Sequence, residues 1–166
     1  MKQIGAFFLT FLLLCACGAP GIHGSALEQA NRHLDTHFSL AMPAEEAEKH
    51  AEQYCYGGGF GCFTLENQDV CYTLSGYPDV LDEYHVTEIQ LLSTKYHIYG
   101  VTLHDDLQTA LEAFQSYGFT EDESRSNDTR LVLTQENVEL VLEASDGILI
   151  GLRIGATATN VEGVDF

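Results

Sequence analysis

LHDDLQTALEAFQSY, Leu103–Tyr117, is the second appearance of a pattern. LAMPAEEAEKHAEQY, Leu40–Tyr54, aligns with it without gaps, 63 residues earlier. Both begin on leucine, pass through acids or a proline suited to a helix start, and end on tyrosine. In the first, Ala44, Ala47, Ala51 and Cys55 recur at helical spacing; in the second, Leu107, Ala110 or Leu111, and Phe114 do. One amphipathic helix is expected in each, with Cys55 ending the first.

Strand patterns follow both stretches. CFTLENQDVCYTL (Cys62–Leu74) alternates through Phe63 and Leu65, then Val70, Tyr72 and Leu74 across a polar turn. TRLVLTQENVELVL (Thr129–Leu142) repeats this with Leu131 and Leu133, then Val138, Leu140 and Leu142. Period-two alternation around a short polar loop marks a half-buried hairpin. A third strand closes each copy, HVTEIQLLS (His85–Ser93) and ILIGLRIGA (Ile148–Ala156), again 63 apart. Alternation puts Thr87, Ile89 and Leu91, and equally Ile150, Leu152 and Ile154, on the inward side.

The expected fold class is therefore α+β, with two tandem helix–β–β–β units forming an antiparallel sheet whose helices pack on one face. Residues 26–94 make the first unit and 95–166 the second. One helix on three strands buries too little to stand well alone, whereas two units side by side share a core. ALEQANRHLDTHF (Ala26–Phe38) adds a helix before the first unit, and TEDESRSNDT (Thr120–Thr129) reads as a polar loop.

The chain opens with MKQIGAFFLTFLLLCACG, one lysine followed by an apolar run from Ile4 to Leu14. That run is too short to cross a bilayer as a helix, which takes roughly 20 residues, and has the layout of a secretory signal. Its end, Leu14-Cys15-Ala16-Cys17-Gly18, resembles a bacterial lipobox, which implies lipidation at Cys17. Choosing Cys15 would put the bulky Leu14 at the cut. Residues 1–16 are then a signal peptide and 17–25 a tether. The expected location is the outer face of the bacterial cytoplasmic membrane or another envelope membrane, reached through the lipid anchor only.

The formal charge is −18, from 25 acidic against 7 basic residues, and removing the leader takes away Lys2 and no acid. Such a balance repels nucleic acid and anionic lipid, and favours basic partners or divalent cations. Outside the cytoplasm cysteines tend to pair, and Cys55, Cys62 and Cys71 leave one over. Two pairings stay open: Cys55–Cys62 through the glycine-rich loop between them, and Cys62–Cys71 across the hairpin. Their C-x6-C-x8-C spacing matches no short zinc knuckle.

The order of elements in EIQLLSTKYHIYGVTLHDDLQTALEAFQSYGF (Glu88–Phe119) resembles the β-lactamase-inhibitor-protein-like fold of secreted bacterial proteins. A strand, a tyrosine-bearing link, the step Gly100-Val101-Thr102-Leu103 and a helix follow in that family's order. YCYGGGFGC (Tyr54–Cys62) resembles the family's helix-ending cysteine joined to the next strand, which implies the pair Cys55 and Cys62. One departure stands out. The family opens each helix with Gly-Met/Asp-Ser/Thr, where this chain has Ala41-Met42-Pro43 and His104-Asp105-Asp106. The resemblance implies fold and secretion, and carries over no inhibited enzyme.

Catalytic signatures are missing: there is no G-x-S-x-G elbow, H-E-x-x-H or serine–lysine motif, and Gly57–Gly61 is followed by neither lysine nor helix. His33 and His37 sit four apart, a spacing that suits a metal pair without an evident third ligand. Glu121, Asp122, Glu123 and Asp128 do not match a calcium loop. No catalytic residue, cofactor or metal is assigned. The remaining candidate is the sheet face away from the helices. Alternation gives it Thr64, Thr73, Val86, Glu88 and Gln90, then Val132, Glu139, Val141, Glu143, Leu149 and Arg153. Of these Glu88, Gln90, Val132, Glu139, Val141, Leu149 and Arg153 are taken as the binding face, with Tyr56, Phe60, Tyr77 and Tyr84 in nearby loops. The expected function is a non-catalytic surface lipoprotein binding a protein or peptide. The alternatives are a structural part of an envelope assembly or, further off, an unrecognised enzyme or calcium-binding module.

Overall fold

The computed structural model describes residues 25–50, 53–55, 62–66, 69–75 and 85–156, with backbone alone for 53–55, 62–66 and Ser75. The signal peptide, the tether before Ser25, Cys17 and the loop tyrosines and phenylalanine lie outside the described residues.

Helix α1 (Ala26–Arg32) starts at Ser25, whose Oγ accepts from the Glu28 amide at 3.3 Å. Helix α2 is Ala44–Ala47, followed by strands β1 (Gln53–Cys55), β2 (Cys62–Glu66), β3 (Val70–Ser75) and β4 (His85–Leu91). Helix α3 (Leu107–Ser116) is capped by Asp106, whose carboxylate accepts from both the amide and the hydroxyl of Thr109. Strands β5 (Thr120–Glu121), β6 (Arg130–Gln135), β7 (Val138–Ser145) and β8 (Ile148–Ala156) follow. Asp146 and Gly147, at φ 52° and 77°, make the tight β7–β8 turn, whose hairpin geometry wants positive φ at both central residues.

Among the described residues, the eight strands form one antiparallel sheet in the order β1-β2-β3-β4-β8-β7-β6-β5. The α+β class and the antiparallel sheet therefore hold. β4 and β8 meet at the centre, with Ile89 opposite Ile154, Gln90 opposite Arg153 and Leu91 opposite Leu152. The core lies on one face. There Tyr72, Val86, Ile89, Leu140, Leu142, Leu149, Leu152 and Ile154 pack with Phe38, Leu40, Ala47, Ala110, Phe114 and Phe119. The N-terminal helix is tied to the far hairpin, since Glu136 accepts from the Ala26 amide and Gln135 donates to Gln29.

The 63-residue spacing reappears in the backbone. The Ala41 amide donates to Val86 O and the Val86 amide to Met42 O, both at 2.8 Å. The His104 amide donates to Leu149 O at 2.8 Å and the Leu149 amide to Asp105 O at 3.0 Å. Ala41 and His104 both take left-handed φ, 65° and 71°. The isolated bridges Pro43–His85 and Asp106–Ile148 fall at the same spacing.

Three expectations are corrected. The helix expected within Leu40–Tyr54 is one turn long, and Gln53–Cys55 is a strand paired with β2. Glu45 and Glu48 place like charges three apart on the helix surface, which disfavours a longer helix. Cys55 thus sits in a strand. Each run of strands also has four members, because β1 and the two-residue β5 extend the edges.

The third correction concerns which side chains face inward. Thr73 pairs with Glu88 but Leu74 with Val86, so Thr87 is an extra residue. Glu143 pairs with Gly151 but Ala144 with Leu149, so Ile150 is extra in the same way. A bulge inserts one residue and reverses the alternation beyond it. Leu149 is consequently fully buried in the core and Ile150 is 57 % exposed, opposite to expectation. Val86 and Thr87 are exchanged likewise: Val86 is in the core and Thr87 is partly exposed.

Candidate functional site

Removing Leu149 and Val86 leaves the outward face with Cys71 and Thr73 on β3, Glu88 and Gln90 on β4, and Gly151, Arg153 and Gly155 on β8. Glu139, Val141 and Glu143 on β7 and Val132 on β6 complete it. One register row crosses the middle: Val132, Val141, Arg153, Gln90, Cys71. The structure thus brings together six of the seven expected face residues, and places Leu149 on the other side.

The face is less open than alternation implies. Val132 is 1 % exposed and Val141 3 % exposed, although neither belongs to the helix-covered core. The segment after β5 explains this. The Asp122 amide donates to Val132 O at 2.8 Å, and Ser126 Oγ accepts from the Val132 amide at 3.0 Å. Arg125 then donates to Asp122 at 2.7 Å and to Glu139 on β7. An arm that starts at the sheet edge and reaches Glu139 must cross β6 on its outward side. Hydrogen bonds from Ser124 and Arg125 hold the Asp122 carboxyl below its usual range. Thr120–Thr129, expected as a polar loop, is therefore a strap anchored by Asp122.

At the centre, Arg153 Nη1 lies 3.3 Å from Glu88 Oε2, while its buried Nε has no partner among the described residues. A partly exposed pair of this kind orients the guanidinium more than it stabilises the fold. Beside it is a shallow depression of about 170 Å³ lined by Gln90, Val141, Glu143, Gly151, Leu152 and Arg153. Gly151 makes the room. A Cβ there would stand 3.0 Å from Glu143 Oε2 and 3.1 Å from Glu143 Cβ. Sequence reading missed the glycine, because alternation counts side chains and Gly151 has none to count.

Cys71 is a free, half-buried thiol at the end of the central row. Burial, with the Glu88 charge behind it, pushes its pKa up to about 11. The alternative pairing Cys62–Cys71 fails on register: Cys62 pairs with Leu74 and Cys71 with Leu65, three positions apart. That separation, about 10 Å along the strand alone, exceeds what a disulfide spans. The side chains of Cys55 and Cys62 lie outside the described residues.

The histidine pair dissolves as a unit. Helix α1 ends at Arg32, so His33 caps it and stacks on Tyr99, with ring centroids 4.8 Å apart. His37 stacks on His50 at 5.2 Å. Among the described residues no three metal-ligating side chains gather.

The fold and this face together define an α+β protein with one helix-covered and one strap-edged sheet surface. No family model and no curated protein matches the chain. Among solved structures, similarity is found to a 1.5 Å crystal structure of an extracellular protein containing a SCP domain from Bacillus anthracis str. Ames. The TM-score is 0.51 at 8 % identity, over 70 % of this chain and 44 % of that one. The chain spans less than half the length of that protein, and the likeness is one of fold.

Proposed function

We propose that this chain is a non-catalytic, lipid-anchored protein of the bacterial cell surface, built from two tandem helix-and-strand units of the β-lactamase-inhibitor-protein-like kind. It binds a protein or peptide through the outward sheet face, centred on Glu88, Gln90 and Arg153. The observation that carries the binding reading is that central row. On β4 and β8 the core and helices occupy one side, and the other presents an oriented arginine, an amide and carboxylates around a depression. Three things support the tandem reading: the hydrogen bonds at Val86 and Leu149, the left-handed residues Ala41 and His104, and the bulges at Thr87 and Ile150. The lipobox at Leu14–Gly18 supports the anchor, with Cys17 as the acylated residue. The extracellular description of the fold neighbour is in keeping with that location.

Photo-cross-linking tests the face. A cross-linking residue at Gln90 is expected to capture a partner from the envelope, and Arg153→Glu to abolish the adduct. The same residue at Glu112, exposed on α3, is expected to capture none. Equal capture from both positions would refute the assignment.

A further inference from the structure

We propose that the depression above Gly151 is a subsite for one cationic side chain, a lysine or arginine, presented by the partner. The inference rests on the outward face being the binding surface, and it names the chemistry of what that surface takes.

Three glutamates stand on this part of the face. Glu88 is held by Arg153 and Glu139 by Arg125. Glu143 is exposed and makes no ion pair or hydrogen bond among the described residues. Arg130 stands opposite it in register without pairing to it. Glu143 also leans over Gly151, so its uncompensated carboxylate sits at the wall of the depression. The Gln90 amide oxygen, in the same lining, offers a second acceptor.

The alternatives fit worse. An anionic occupant would meet Glu143 and the field of a chain of formal charge −18. A neutral, apolar occupant would strip water from Glu143 without replacing it. Arg153 does not oppose the cation strongly, because Glu88 offsets its charge. A lysine or arginine gains a charge-assisted hydrogen bond to Glu143.

Hexalysine is a suitable probe, titrated into isotopically labelled protein at physiological salt and followed by amide NMR. The largest shifts are expected at Val141, Gly151, Leu152 and Arg153. Glu143→Gln should raise Kd about tenfold, the effect of one charge-assisted contact. Glu112→Gln removes the same charge from the helix side and should change Kd less than twofold, while Arg130→Gln should tighten binding by removing a nearby positive charge that repels the cation. Equal effects of the two glutamate variants, or shifts spread over the helical side, would overturn the subsite. If that happens while the Gln90 cross-link still forms, the face stands and only the cation is wrong; if the cross-link fails as well, the face falls too.

Discussion

The two runs of strands, β1–β4 and β5–β8, share a backbone frame and differ in the helix laid across it. In the first the helix is a single turn, Ala44–Ala47; in the second it is Leu107–Ser116. Yet both have a left-handed residue, a hydrogen-bonded pair to the last strand, and a bulge one residue further on, all 63 positions apart. The frame is therefore fixed by the lead segment and the bulged strand. Helix length is free to vary on top of it. Ala47 and Ala110, at matching positions, are both fully buried, so one small side chain per helix is what the sheet requires.

The sharpest way to break the comparison is at the bulges. Leu149→Ala should cost about 3 kcal/mol and Ile150→Ala less than about 0.5, since one fills the core and the other faces water. Val86→Ala and Thr87→Ala should repeat the contrast at smaller size. Chemical denaturation of the four variants checks it, and a costly Ile150→Ala would mean strict alternation after all. Next comes the strap. Val132→Lys and Val141→Lys should each destabilise by about 2 kcal/mol, because a charge would be buried where Arg125 already crosses. Arg125→Ala should then make Val141→Lys milder in a double-mutant cycle.

Ala41 and His104 sharpen the comparison at lower energy. Left-handed φ costs a side-chain-bearing residue about 1 kcal/mol, and glycine escapes the strain. Ala41→Gly and His104→Gly should each raise the melting temperature slightly, with little coupling between them. A drop at either would show that the side chain holds something the geometry does not reveal. Last and without effect on stability, Cys71 should react with iodoacetamide at pH 8 about a hundredfold more slowly than an unfolded thiol. The folded thiol ionises near pH 11 and the ordinary one near 9, so far less thiolate is present in the fold.

The recurring pattern was legible because one offset, 63, relates Leu40–Tyr54 to Leu103–Tyr117 and His85–Ser93 to Ile148–Ala156, while the hairpins between them stand 68 apart. The bulges were not. Thr87 and Ile150 are ordinary strand formers, and an inserted residue of that type leaves no mark in composition while reversing the faces of Val86 and Leu149. The short first helix was hidden for a related reason, since alanines at helical spacing look the same whether or not a neighbouring strand takes the last of them. At the site, Glu88, Gln90, Glu139 and Arg153 were readable from alternation alone. The cover over Val132 and Val141 was not, because it depends on where the Arg125 arm lands.

Gln90 and Arg153 are themselves 63 apart, and they stand opposite each other. An approximate half-turn axis therefore pierces the sheet between them, and the bare backbone would accept a ligand laid across the seam in either of two opposite directions. The side chains abolish that ambiguity. Where one half carries Glu88, the other carries Gly151, and where one carries Gln90, the other carries Arg153. A ligand turned end for end would trade the Glu88 side chain for the bare backbone of Gly151, so the proposed face would hold a partner in one orientation.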